Sequence, residues 1–165
     1  MNDANAQTHA HSRRAERLVV AGFRSWMEGY DTGELACWEA AFNVFADELG
    51  PDQAKTVIVA LSRWVRNLRS AANRPIRCFA AACPAYCRDE CAALALISAC
   101  QEGDERQARA AAFALTGVAA AVDELVGTAG AFADALSETG CRLNASLECR
   151  MSCVAGIAAT VARPH

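Results

Sequence analysis

The chain has 165 residues and a mass of 17.5 kDa, which favours a single domain. Apolar residues make up 53% of the sequence, enough for a hydrophobic core, so disorder is excluded for most of the chain. The net charge of −3 argues against a basic coat protein, and nucleic acid is not an expected partner. No apolar run reaches the roughly 18 residues of a membrane span, and no export signal precedes the first apolar segment, which predicts a cytoplasmic protein away from membranes.

The periodicity of the apolar residues predicts an all-α protein. Alanine is abundant, and no two-residue alternation lasts long enough for a strand. Short connections between amphipathic helices favour antiparallel neighbours, so we expect a bundle of five or six mostly antiparallel helices around one core. Residues 1–11 are predicted to be a disordered or frayed tail and 12–165 a single helical-bundle domain. The expected helices span about 12–30, 32–49, 51–72, 84–102, 105–139 and 141–161.

Turn residues set the predicted helix ends. Asp31 and Glu34 are expected to form a capping box before the second helix. Pro84 suits the first position of the fourth helix, where its missing amide donor costs nothing. Gly127 and Gly130 are expected to bend or break the fifth helix, because glycine costs about 1 kcal/mol relative to alanine inside a helix.

Nine cysteines are the unusual feature of the composition, and six of them are clustered. In a reducing compartment, grouped cysteines are typical of metal sites, redox sensors or small core residues rather than of a disulfide framework. The candidate metal ligands are therefore the two clusters, Cys78, Cys83, Cys87 and Cys91, and Cys149 and Cys153.

Two ligand sets are geometrically possible. The first takes Cys78 and Cys83 from an irregular stretch together with Cys87 and one further ligand. The second places Cys87 and Cys91, one helical turn apart, opposite the two cysteines of the last helix. Four sulfur ligands suit zinc or an iron–sulfur cluster. The spacing differs from the paired C-x2-C pattern of zinc fingers, so buried packing cysteines on an alanine-rich helix remain an alternative.

The four-residue steps that link Cys83, Cys87 and Cys91, and the one that links Cys149 and Cys153, loosely resemble those of copper-storage helical bundles. Such bundles line several helices with thiols, whereas the first, third and fifth predicted helices carry none here. No family is assigned on this basis.

The last predicted helix offers a different use of its cysteines. Cys149 and Cys153 project nearly opposite the apolar stripe and share a face with small residues. Such a face suits close packing against another helix of the bundle or across the seam of a homodimer. The pair is therefore predicted to be either a packing contact or a ligand or redox pair.

A basic segment surrounds the first cysteine cluster. Between Gln53 and Arg88 the sequence contains seven positive charges and no Asp or Glu. Nearby cations are expected to lower the pKa of the cysteines and so favour the thiolate. Clustered guanidinium groups also suit phosphate or carboxylate ligands, although a solvated surface is the ordinary explanation. The candidate anion-binding residues are Arg66, Arg69, Arg74 and Arg77.

Signatures of catalysis are mostly missing from the sequence. It contains no glycine-rich phosphate loop and no G-x-S-x-G elbow. Histidine occurs only at positions 9, 11 and 165, so a Cys–His or Ser–His pair has no base in the expected core. An enzyme is therefore the weakest expectation.

Three functions remain open from the sequence. The favoured one is a metal- or iron–sulfur-binding or redox-sensing protein that uses the Cys78–Cys91 segment beside its arginines. The second is a non-catalytic interaction or dimerisation module whose cysteines are packing residues. The third is a protein that binds phosphate or another small anion.

Overall fold

A computed structural model describes the backbone of residues 3–144 and the side chains of residues 12–144. This part of the chain is all-α and contains no strand, as predicted. None of its helices is long and apolar enough to cross a membrane. A 3-10 turn (Ala119–Ala121) accompanies six helices, which are α1 (Asp3–Thr32), α2 (Leu35–Leu49), α3 (Pro51–Ala71), α4 (Arg88–Glu102), α5 (Glu105–Thr116) and α6 (Val122–Glu138).

The six helices pack around one core. Helix α6 lies against both α3 and α4, while α1 packs on α2 and also contacts α3 and α4. The pairs α1–α2, α2–α3 and α4–α5 are each joined by one or two residues, which makes them antiparallel neighbours. Apolar residues that recur at helical spacing face this core, among them Phe23 on α1, Leu61 on α3 and Phe132 on α6.

An aromatic stack connects three of the helices at the centre. The indole of Trp64 on α3 lies 5.4 Å, between ring centroids, from Phe132 on α6 and 5.4 Å from Phe23 on α1. All three side chains are buried. Each of the three lies on the face of its helix where apolar residues recur at helical spacing.

The ends of the first two helices differ from the prediction. Helix α1 begins at Asp3 and so includes most of the segment expected to be a tail. It continues to Thr32, and the predicted capping box of Asp31 and Glu34 is wrong. The hydroxyl of Thr32 instead accepts a hydrogen bond from the Glu34 amide at 3.2 Å, which closes the turn into α2.

The predicted fifth helix is two helices. Its break lies at Gly117, which has φ 65° at the end of α5, a conformation that glycine adopts without strain. Gly127 and Gly130, expected to bend or break the helix, lie inside α6. Asp104 caps α5, since its carboxylate accepts from the Gln107 amide at 3.0 Å.

The predicted last helix falls largely outside the described residues. Residues 141–144 are not helical. Cys149 and Cys153, and every prediction that depends on them, lie beyond residue 144.

Candidate functional site

Residues 72–87 form a sixteen-residue irregular connection between α3 and α4, which we call the Cys loop. Ordered loops of this length without regular structure are uncommon in compact domains and are often functional. The loop contains Cys78, Cys83 and Cys87, so it is where the sequence located its main candidate site. The prediction that α4 begins at Pro84 is wrong, because Pro84 lies within the loop and α4 begins at Arg88.

A single buried arginine organises the loop. Arg24 of α1 is only 5% exposed, and its guanidinium points into the concave side of the Cys loop. Its Nη1 donates to the carbonyl oxygens of Cys83 at 2.8 Å and Ala80 at 3.2 Å, and its Nη2 donates to that of Ala85 at 2.7 Å. The carbonyls of Cys83 and Ala85 therefore find a donor in one side chain, which also supports the turn that the Cys83 amide closes on the Ala80 carbonyl.

The charge of Arg24 is balanced by Glu90, in the first turn of α4. Glu90 is completely buried, and its carboxylate accepts hydrogen bonds from Nε of Arg24 at 2.6 Å and from Nη2 at 3.1 Å. Burial alone would lower the pKa of Arg24, but the hydrogen bonds and the charge of Glu90 outweigh it, and the pKa is raised. The guanidinium is therefore a permanent cation in the core.

Glu90 also anchors two backbone amides of the loop. Its carboxylate accepts from the Phe79 amide at 3.0 Å and from the Cys87 amide at 2.7 Å. The second bond is half of a capping box in which Cys87 is the N-cap of α4. This box explains why the helix begins after Cys87 and not at Pro84.

Asp89 fixes the first part of the loop in the same way. Its buried carboxylate accepts two hydrogen bonds from the Arg74 guanidinium, at 2.7 and 2.8 Å, and one from the Arg77 amide at 2.8 Å. Burial opposes the ionised form, but these hydrogen bonds outweigh it and lower the pKa of Asp89. The two carboxylates at the start of α4 therefore hold the loop at three backbone amides, those of Arg77, Phe79 and Cys87.

The Asp89→Asn variant tests this anchor through its pH dependence. We expect a loss of about 2 kcal/mol in the free energy of unfolding at pH 7, because a charged acceptor of three hydrogen bonds becomes neutral and Arg74 is partly solvated. Since folding lowers the pKa of Asp89, its contribution is complete above the unfolded value and declines as the pH falls below about 4. Urea unfolding at pH 7 and pH 3 measures it, and an equal difference from wild type at both values would contradict the assignment.

The thiols of Cys78 and Cys87 are not activated by the surrounding arginines, contrary to the sequence prediction. Burial raises the pKa of Cys78 well above its ordinary value, and the negative charge of Glu90 adds to the effect. Burial likewise raises the pKa of Cys87. The prediction failed mainly because both thiols are removed from solvent, and also because Arg24 and Arg74 are paired with Glu90 and Asp89.

Three cysteines of the first cluster have different surroundings. Cys78 packs against the core, and the thiol of Cys87 donates to the carbonyl oxygen of Arg77 at 3.1 Å. Cys91, the one member of the first cluster inside α4, is disulfide-bonded. Within residues 12–144, no three or more His, Cys, Asp or Glu side chains are grouped so as to hold a metal ion. The metal and iron–sulfur hypotheses for both clusters stay predictions.

The four arginines of the predicted anion site have different surroundings. Arg69 pairs with Asp31 and lies over the Tyr30 ring, 5.2 Å from its centroid. Arg74 is paired with Asp89, as described above, whereas Arg66 and Arg77 are exposed. An anion site that uses all four guanidinium groups stays a prediction, and two of the four already hold carboxylates.

Exposed cations lie in the Cys loop and at the first residue of α4. Arg77 and Arg88 are exposed, whereas Asp89 and Glu90, the nearest acids in the sequence, are turned inwards. The loop also exposes small apolar residues, which are Pro75, Ala80, Ala81, Ala82 and Pro84.

Arg24 was the residue that sequence reasoning missed. The signal was available, because Val20 and Met27, four residues before and three after, are core positions on the same helical face. A charged residue in the middle of an apolar stripe requires a buried partner. Glu90 occupies the equivalent position ahead of Leu94 and Ile97 on α4, so the pair could have been suspected.

No family model, curated protein or solved structure matches this chain.

Proposed function

We propose that this protein is a non-catalytic helical interaction module that binds an acidic, partly apolar protein segment through the outer surface of its Cys loop. One observation carries the proposal: the loop is fixed from the inside by two buried carboxylates, and its outward charges are all positive. Binding residues are often placed on loops that a rigid scaffold positions.

The internal anchoring supports a recognition role. A buried ion pair is a costly way to stabilise a fold, since apolar residues of similar volume often serve as well or better. Arg24 and Glu90 instead fix the path of a long loop through specific hydrogen bonds to its backbone. A loop ordered before binding loses less conformational entropy when it binds, which favours affinity.

The chemistry of the surface indicates the partner. Arg77 and Arg88 offer guanidinium groups suited to carboxylates, and the alanine and proline residues between them offer apolar contact without long flexible side chains. This combination is complementary to a segment in which Asp or Glu alternates with apolar residues.

Binding of three labelled peptides tests the proposal. The probes are fluorescein-labelled 16-mers of equal length that alternate leucine with glutamate, glutamine or lysine. We expect the full-length protein to bind the glutamate peptide at least tenfold more tightly than the other two. Arg77→Glu/Arg88→Glu should reduce that affinity at least tenfold, because both contacts become repulsive.

The matched control is Arg13→Glu/Arg106→Glu, which makes the same change in net charge at exposed positions on α1 and α5. It should leave the affinity within about twofold, apart from weak long-range attraction. Equal loss in both double variants would show non-specific charge attraction and overturn the proposal. Inorganic phosphate is added at a concentration equal to that of the carboxylate groups of the glutamate peptide. Displacement of the peptide by this phosphate would also overturn the proposal, in favour of an anion-binding protein.

A further inference from the structure

The backbone on either side of Cys78 is fixed to the beginning of α4. The Arg77 amide, one residue before, donates to Asp89 at 2.8 Å, and the Phe79 amide, one residue after, donates to Glu90 at 3.0 Å. Both acceptors are in the first turn of the helix whose N-cap is Cys87. The backbone on both sides of Cys78 is therefore held at the N-terminal end of α4.

The thiol of Cys87 points towards the same place. Its sulfur lies 3.1 Å from the carbonyl oxygen of Arg77, and that carbonyl belongs to the peptide bond that joins Arg77 to Cys78. One peptide unit therefore separates the Cys87 sulfur from the Cys78 backbone. Both thiols are free.

From this juxtaposition we propose that Cys78 and Cys87 are a modification site that forms a reversible disulfide with a small-molecule disulfide as oxidant. The inference does not depend on the binding partner proposed above. Cys83 is the other free thiol of the loop, but its backbone is not bonded to the start of α4. Its carbonyl oxygen accepts a hydrogen bond from Arg24, and its amide donates to the carbonyl oxygen of Ala80.

The exchange balances in two steps. Cys78 is the more exposed of the two, so its thiolate attacks one sulfur of the small disulfide, forms a mixed disulfide and releases one thiolate. The Cys87 thiolate then attacks the Cys78 sulfur and releases the second small thiolate. Two protein thiols are oxidised, one small disulfide is reduced to two thiols, and the protons pass to the released thiolates. Burial raises the pKa of both cysteines, so the thiolate fraction is small and the reaction is expected to take hours.

Peptide mapping of the full-length protein tests the site. Reduced protein is incubated with oxidised glutathione, blocked with N-ethylmaleimide and digested with trypsin. Because Arg77 and Arg88 flank it, the peptide 78–88 contains all three loop cysteines. We expect this peptide to lose two hydrogen atoms, with the label only on Cys83. The melting temperature should rise by about 5 °C and return on reduction, since the bond closes a short loop.

Three variants define the pair. Cys83→Ser should still lose two hydrogens in this peptide, whereas Cys78→Ser should not, and Cys87→Ser should retain glutathione on Cys78. A wild-type peptide labelled at both Cys78 and Cys87, or one with Cys83 in the bond, would overturn the proposal. The wild-type map decides the matter even if a variant does not fold.

Discussion

Arg24→Met is expected to lower the free energy of unfolding by about 4 kcal/mol, as measured by urea unfolding followed by tryptophan fluorescence. Methionine retains most of the volume, but Glu90 is left as a buried charge without its cation. The carbonyls of Cys83 and Ala85 also lose their donors. Most of the loss in stability should come from the Glu90 carboxylate and these two carbonyls, because buried polar groups without a partner are left with the full cost of desolvation.

The double variant Arg24→Met/Glu90→Met separates this explanation from a simple ion pair. Apolar replacement of both partners often restores stability when the partners bond only each other. Here Glu90 also accepts from the amides of Phe79 and Cys87, so the double variant should remain as unstable as Arg24→Met alone. Recovery to near wild-type stability would contradict the role of the pair in fixing the Cys loop.

The matched control is Arg109→Met, which breaks the ion pair between Arg109 and Asp123 on the surface. Both side chains there are well exposed, so the expected cost is below about 1 kcal/mol. A loss in Arg24→Met no larger than in this control would show that burial of the pair contributes little.

The helices could be predicted from the sequence because their signals are local. The apolar stripe containing Val57, Leu61 and Trp64 repeats at helical spacing, and Pro51 begins the helix as expected. Each signal lies within a few residues of the structure it determines. The fifth helix was misread because Gly117, in a left-handed cap, ended it, while two interior glycines were tolerated.

The Cys loop could not be predicted in the same way, because its determinants are distant in sequence. Arg24 lies 66 residues before Glu90 and 59 before the Cys83 carbonyl that it holds. The sequence correctly located cysteines and arginines in one segment, but it could not show that buried carboxylates neutralise some of the arginines. Nor could it show that burial, the largest cause, raises the pKa of the Cys78 and Cys87 thiols.

Trp64→Ala is expected to cost about 4 kcal/mol, since it empties a site at the centre of α1, α3 and α6 that no neighbour can fill completely. Trp64→Phe should cost only about 1 kcal/mol. Within the described part of the chain the indole Nε1 has no hydrogen-bond partner, so phenylalanine loses packing area but also removes a buried unpaired donor. Stacking on Phe132 can be retained by the smaller ring. Equal losses in the two variants, measured by urea unfolding followed by circular dichroism, would show that the N–H contributes to stability and is not a tolerated defect of the core.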